Sequence, residues 1–142
     1  MAQEDKDLLL KDLCGRLQYG LKCSIYRVDD FGVGWRDATF NGIVHNDIGC
    51  EFYFDDYVCI DSINKVKPYL FPMSSMTEEQ KEEFNTHTFE IMFCEVVCKK
   101  NKEIEYGKLM AFDLDFYNKH HLDWRGLIPM GLAIDATELG IY

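Results

Sequence analysis

The sequence has little of what a disulfide scaffold, a zinc site or a membrane span requires. Its six cysteines, at positions 14, 23, 50, 59, 94 and 98, include no CxxC pair. This spacing is typical of reduced cysteines that pack as small apolar side chains, so we expect neither a disulfide framework nor a bound metal. No apolar run approaches the roughly 20 residues of a membrane-spanning helix. Residues 1–13 are charged and do not resemble a signal peptide, which predicts a cytoplasmic protein.

Basic clusters and catalytic signatures are also scarce. Lysine and arginine total 15 against 25 aspartate and glutamate residues, which gives a formal net charge of −10. Binding to a phosphate backbone needs a cationic footprint, so we do not expect a nucleic-acid module. The sequence contains no GxGxxG fingerprint, P-loop, GxSxG elbow or HExxH helix. It therefore indicates no cofactor, and we expect a protein without catalysis.

What is present is a segment rich in proline, aromatic and capping residues, KPYLFPMSSMTEEQ at 67–80, that divides the chain. Residues 21–70 are predicted to be β-rich, and residues 74–142 are predicted to be mixed and largely helical. A chain of 142 residues is typical of a single domain that buries roughly two thirds of its unfolded surface. The sequence thus predicts an α+β fold in one domain, 1–142.

Proline and capping rules set the local structure of this segment. Pro68 lacks an N–H group, so any ladder that includes residues 63–67 is expected to end there. Ser75 and Thr77 each precede a Glu or Gln by three residues, and either can form a capping box. A helix start is therefore predicted at one of these two residues.

The β-rich half alternates apolar and polar residues in short runs. Strands are predicted at 21–28, 38–44, 50–54 and 57–60, with 62–67 as an extension or a fifth strand. The glycines on either side of Val33 favour a long turn at 29–37. Such runs favour a small curled antiparallel sheet, and an SH3-like barrel is the best single prediction. An open twisted sheet under an N-terminal helix at 4–18 is the alternative.

The half after the segment is predicted from periodicity and propensity. The predicted elements are a helix at 77–86, a strand at 86–98, a hairpin turn at 99–102, a return strand at 103–106 and a helix at 108–122. A strand at 86–98 is preferred over a continuing helix because these residues are rich in β-branched and aromatic side chains. Apolar residues near the end, such as Ile134 and Tyr142, predict an ordered, docked tail.

Three blocks of the chain are distinctive: LLLKDLCGRLQYGLKC at 8–23, KPYLFPMSSMTEEQ at 67–80 and NKHHLDWRGLIPMGLAIDA at 118–136. They resemble LLKDLCARLPYGVK, KPYLRPMSSMTEEE and HHFDYRGLIxxGLALEA, motifs of a family of short uncharacterised proteins from gut Bacteroidales genomes and their phages and mobile elements. The match departs from the family at Gly15, Gln18, Phe71, Gln80 and Trp124, among others. The resemblance implies a bacterial or phage cytoplasmic setting and no particular activity.

His120 and His121 are the sharpest polar feature of the sequence. Adjacent side chains on a helix point about 100° apart, so they do not share a metal as i, i+4 histidines do. The positions four residues earlier are Phe116 and Tyr117, so neither histidine has a carboxylate at helical spacing. We interpret His120 or His121 as a cap of the helix C-terminus that hydrogen-bonds nearby backbone. The alternative is a metal-dependent hydrolase that uses His120, His121 and nearby carboxylates such as Asp123.

Trp124 and Arg125 form a second polar motif beside the histidines. The two side chains can stack, and Arg125 can bind a carboxylate or a phosphate. In so acidic a chain, we interpret Arg125 as part of an internal ion pair with an acid such as Asp123 or Glu138.

Three aromatic residues, Trp35, Tyr53 and Tyr57, are expected at the surface. The candidate binding residues are therefore Trp35, Tyr53, Tyr57, His120, His121, Trp124 and Arg125. The favoured hypothesis is a small acidic cytoplasmic protein that binds or regulates another protein. Self-association is left open, and neither a membrane nor a nucleic acid is an expected partner.

Overall fold

The computed structural model describes residues 1–30, 32–47, 49–55, 58–97 and 102–142, apart from the side chains of 88–97 and 102–109. The helices of this part are α1 (Gln3–Arg16), α2 (Glu78–Val97) and α3 (Lys102–Lys119). The strands are β1 (Lys22–Asp29), β2 (Gly32–Asn46), β3 (Gly49–Phe54), β4 (Cys59–Ile60), β5 (Val66–Leu70) and β6 (Ile134–Asp135). The predicted α+β class is confirmed.

The strands form one sheet in the order β4-β3-β2-β1-β5-β6. All neighbours are antiparallel except β5 and β6, so the sheet is mixed and not purely antiparallel as predicted. The long strand β2 pairs with β1 and then with β3, and its register shifts between Phe40 and Gly42. In the described residues no ladder joins β4 to β6, so the sheet is open and the predicted barrel is not closed. Each of these edge strands has two residues, which leaves few backbone groups for closure.

The core lies between α1 and one face of the sheet. Leu9 and Leu13 of α1 are fully buried in one cluster with Ile25 of β1 and Phe40 of β2. Their spacing of four residues places both leucines on one face of the helix that was predicted at 4–18. After a 3₁₀ turn, Gly20 has a φ of 66° and redirects the chain into β1. The predicted alternative, an open sheet under the first helix, describes this arrangement.

The predicted turn at 29–37 is wrong, because β2 already begins at Gly32 and pairs with β1 from Gly32 to Thr39. The glycines suggested a turn, but Val33 and Trp35 alternate with their neighbours as strand residues do. The expectation that Pro68 ends its ladder is also wrong, because Pro68 lies within β5 opposite Cys23. Cys23 directs its N–H and C=O groups toward β2, so β1 needs no N–H from Pro68.

The helical half begins at Thr77, which resolves the two predicted starts. Gln80 N–H donates to Thr77 Oγ1 at 3.2 Å, and Thr77 N–H donates to Gln80 Oε1 at 2.9 Å. These two hydrogen bonds form the reciprocal capping box that the sequence predicted. Ser75 instead donates its hydroxyl to Pro72 O at 2.7 Å and shapes the turn before the helix.

The strand predicted at 86–98 is wrong, because α2 continues as one helix to Val97. The return strand predicted at 103–106 is also wrong, because α3 begins at Lys102. Of the predicted turn at 99–102, residues 99–101 lie outside the described residues. Aromatic packing favours the helix pair over local strand propensity: the ring of Phe84 on α2 lies 5.2–6.0 Å from Phe112, Phe116 and Tyr117 on α3.

After α3 the chain returns to the sheet. Phe71 N–H donates to His121 O at 2.9 Å, and Asp123 N–H donates to Phe71 O at 2.8 Å. The Asp123 carboxylate then accepts the N–H of Leu127 at 2.7 Å, which caps a short turn. Strand β6 follows beside β5, so the predicted docked tail is confirmed. None of the helices in the described residues combines the length and apolarity that crossing a membrane needs.

Candidate functional site

The candidate residues lie in separate places. Trp35 is on β2, Tyr53 is on β3, and the histidines, Trp124 and Arg125 lie at and after the end of α3. Tyr57 lies outside the described residues. The structure therefore does not gather the predicted residues into one site. Each group of residues has its own contacts.

Trp35 belongs to an exposed apolar patch on the β1–β2 hairpin. The register places Tyr26 opposite Trp35 and Val28 opposite Val33, so all four side chains lie on one face of the hairpin. We call these four residues the hairpin face. Val28, Val33 and Trp35 are 71%, 63% and 47% exposed. The rings of Tyr26 and Trp35 meet edge to face with centroids 5.5 Å apart.

The hairpin extends beyond its neighbouring strands. β5 pairs with β1 only at Cys23–Ile25, and β3 pairs with β2 only from Phe40 onward. Helix α1 packs on the opposite face, where Leu9 and Leu13 are buried. The described residues leave the apolar face of this two-stranded arm largely exposed, and Tyr26 and Val28 also line a cavity with Ile60 and Lys65. The Lys67 ammonium group lies 5.8 Å from the centre of the Trp35 ring and forms one border of the patch.

Tyr53 has a local partner and a separate setting from Trp35. Its hydroxyl donates to the Glu51 carboxylate at 2.8 Å on the same strand. This hydrogen bond, followed by the neighbouring Cys59, raises the pKa of Tyr53 to about 12. The phenol therefore stays protonated near neutral pH and serves as a hydrogen-bond donor.

A buried ion pair connects α1 to the chain after α3. Arg16 and Asp12 have fully buried side chains, and their two hydrogen bonds measure 2.8 and 3.0 Å. Arg16 also donates to Leu122 O at 2.8 Å. Arg125 Nε lies 3.4 Å from Asp12 Oδ1. The predicted internal pairing of Arg125 with an acid is thus present, and the acid is Asp12. Asp12 thus accepts both hydrogen bonds of Arg16 and also lies within ion-pair distance of Arg125, so removing Asp12 would leave two cations without this partner.

Trp124 is held by contacts within the chain. Its indole Nε1–H donates to Asn118 Oδ1 at 3.1 Å. The guanidinium carbon of Arg125 lies 3.9 Å from the centre of its ring, so the predicted stacking is confirmed. Both side chains are therefore engaged in joining α3 to the following turn.

His121 is buried in a stack with the C-terminal residue. Its φ is 53°, and its ring lies parallel to that of Tyr142 with centroids 4.1 Å apart. Burial, followed by the charges of Arg16 and His120, lowers the pKa of His121 to about 4. The imidazole is therefore neutral at neutral pH. The interpreted cap is made by the backbone of His121 and not by its ring: His121 N–H donates to Asn118 O at 3.2 Å, and Leu122 N–H donates to Tyr117 O at 2.9 Å. The His121 carbonyl accepts the N–H of Phe71.

His120 points toward α2 and has different neighbours. Its Nδ1 lies 3.1 Å from the amide nitrogen of Gln80, and its Nε2 lies 3.4 Å from Glu83 Oε2. The rings of His120 and His121 thus face separate partners. Within the described ranges no three His, Cys, Asp or Glu side chains are grouped to hold a metal ion. The hydrolase alternative stays a prediction.

The hairpin face was only partly foreseen. Trp35 was a candidate residue. Because residues 29–37 were interpreted as a turn, the sequence did not predict that Trp35 pairs with Tyr26 or that Val33 pairs with Val28. The signal in the sequence is the alternation of Val33 and Trp35, which matches that of Tyr26 and Val28. Among the groups described, the hairpin face is the one that is exposed and apolar.

A comparison with protein-family models, with curated proteins and with solved structures finds no match to this chain.

Proposed function

We propose that this protein is a non-catalytic binding module of the cytoplasm that docks on a partner protein through the hairpin face. The observation that carries the proposal is the pairing of Tyr26 with Trp35 and Val28 with Val33 on an exposed arm. Contiguous exposed apolar groups with a polar border are typical of protein interaction sites. Tryptophan and tyrosine are also the residues that most often dominate binding energy at such sites.

The other polar groups support a binding role over bond-making. Asp12 and Arg16 are fully buried and bound to each other, and Arg125 and Trp124 are engaged beside them. His121 is neutral and covered by Tyr142. An active site needs access for a substrate and chemically activated side chains. The exposed hairpin face instead offers a contact surface that needs little rearrangement to bind a partner.

The test compares the protein with variants of the hairpin face as bait in a bacterial lysate, followed by affinity measurement with the purified partner. The double variant Val28→Thr/Val33→Thr keeps β-branched side chains but makes the arm polar. Trp35→Ala removes the central ring and is expected to weaken binding roughly tenfold or more. Val44→Thr is the matched control, because Val44 is 48% exposed elsewhere on β2. The proposal is contradicted if all variants bind the partner equally well. It is also contradicted if the unmodified protein captures no specific partner.

A further inference from the structure

Among the described residues, one edge of the hairpin has no strand partner for its backbone groups. Phe40 N–H donates to Leu21 O at 2.8 Å, so these residues form a hydrogen-bonded pair of the β1–β2 ladder. The register continues without a break along the hairpin. Hydrogen-bonded and non-hydrogen-bonded pairs alternate in an antiparallel ladder. Val33, Trp35 and Asp37 therefore direct their N–H and C=O groups away from β1, toward the open side of β2.

A second hydrogen bond supports this orientation. Thr39, which follows the same alternation, donates its N–H to Asp55 Oδ1 at 2.8 Å on the side away from β1. β3 occupies that side only from Phe40 onward. Along 33–37, no described strand pairs with the open side of β2, and no described group bonds to the backbone of its outward-directed residues. An exposed edge of this kind is a template for another strand.

We propose that this edge pairs with the same edge of a second copy of the chain, antiparallel about a two-fold axis at Trp35. Val33 of one copy then faces Asp37 of the other, and Trp35 faces Trp35. Each outward-directed residue meets another outward-directed residue, so three pairs of two hydrogen bonds form. The two hairpins become one continuous sheet, which is a closed and self-complementary arrangement.

Charge selects this register among the neighbouring ones. With the axis at Trp35, Arg36 lies opposite Gly34 of the second copy, and no like charges oppose each other. An axis at Arg36 would place two arginines directly opposite, which is unfavourable in a sheet. An axis at Gly34 would pair Val33 with Trp35 of the second copy but place Asp37 beyond Gly32, where β2 begins. The observed sequence therefore favours one symmetric pairing, with an aromatic pair at its centre.

This inference is separate from the proposed function. The pairing uses the backbone edge of β2, and apart from the contact between the two Trp35 rings the hairpin face stays on the open side of the sheet. In the pair, the hairpin faces of both copies lie side by side and form one continuous apolar surface. Loss of self-association and loss of partner binding are therefore distinguishable results.

The test is sedimentation equilibrium of the full chain from micromolar to millimolar concentration, with two substitutions of one residue. Val33→Pro removes an outward N–H but leaves the β1 ladder intact, because Val33 is in a non-hydrogen-bonded pair with Val28. Two symmetry-related hydrogen bonds are lost, so the dimer is expected to weaken roughly tenfold or more. Val33→Thr keeps the N–H and is the matched control, which should dimerise as the unmodified chain does.

Amide exchange of the unmodified chain tests the register itself and does not depend on a variant that folds. As concentration rises, the amides of Val33, Trp35 and Asp37 should gain protection. Those of Gly34 and Arg36 should not change, because they already bond to β1. A chain that stays monomeric at millimolar concentration overturns the proposal. So does a dimer that Val33→Pro leaves intact in a folded protein, or protection that appears only when a different protein is added.

Discussion

At the residue scale, the sequence predicted least well which polar side chains are buried and which partners they have. Asp12 and Arg16 form a fully buried ion pair, yet an i, i+4 charge pair on a helix is usually found at the surface. No local feature of the sequence distinguishes this buried pair from a surface pair, because its burial depends on Leu122 and Arg125, more than 100 residues later in the chain. The apolar stripe of α1 was predictable from its spacing, whereas the partners of a buried charge are set by tertiary contacts.

His121 shows how such burial determines pH dependence. Burial, with Arg16 and His120 nearby, lowers the pKa of His121 from 6.5 to about 4 in the folded chain. The unfolded chain therefore binds this proton at a higher pH than the folded chain does. The contribution of His121 to stability is complete above pH 6.5 and is lost as the pH falls from there to about 4.

We expect His121→Phe to reduce this loss of stability at acidic pH. Phenylalanine keeps a ring against Tyr142, cannot take up the proton, and loses no hydrogen bond to the described residues at Nδ1. Urea unfolding between about pH 7 and pH 4.5 measures the change, and the variant should lose less stability than the unmodified chain. His45→Gln, at an exposed position of β2, is the control and should keep the original slope. Parallel curves for all three proteins would refute the assignment.

At the element scale, the sequence predicted where α2 begins but not how far it extends. The capping box was readable because it depends on residues three apart. The continuation beyond residue 86 was not, because β-branched and aromatic residues favour a strand when they are considered alone. Phe84 packs on Phe112 and Phe116 of α3, and this contact stabilises a helix pair that local propensity does not reveal. The sequence also did not predict the hairpin arm. There the glycines indicated a turn, although the residues form a strand.

We expect Thr77→Ala to destabilise the protein by about 1 kcal/mol, because it removes the hydroxyl that accepts the N–H of Gln80 at the start of α2. Thr77→Ser keeps an acceptor and should retain most of the stability. Ser74→Ala changes an exposed side chain in the preceding turn and is the control. Urea denaturation at neutral pH measures all three. A loss as large in Ser74→Ala as in Thr77→Ala would show that the capping box is not the cause.

At the scale of the whole molecule, the last residue connects distant parts of the chain. The Tyr142 hydroxyl accepts the N–H of Lys22 at 3.1 Å and donates to Tyr69 O at 2.8 Å. Its ring lies between His121 and Phe71, with centroids 4.1 and 5.6 Å away. Burial raises the pKa of Tyr142, so the hydroxyl keeps the proton that it donates. The sequence predicted a docked tail from its apolar residues, but a contact across 120 residues has no local signal.

The hydroxyl and the ring of Tyr142 make separable contributions to stability. Tyr142→Phe keeps the ring stack but leaves Lys22 N–H and Tyr69 O without this partner, so we expect a loss of about 1–2 kcal/mol in the free energy of unfolding. Tyr142→Ala should cost more, because the contacts with His121 and Phe71 are lost as well. Tyr19→Phe removes an exposed hydroxyl that donates to Asp115 at 3.3 Å and should change stability little. Urea denaturation ranks the variants. If Tyr142→Phe and Tyr19→Phe are equally stable, the hydroxyl does not hold β1, β5 and the tail together, and the ring alone docks the C-terminus.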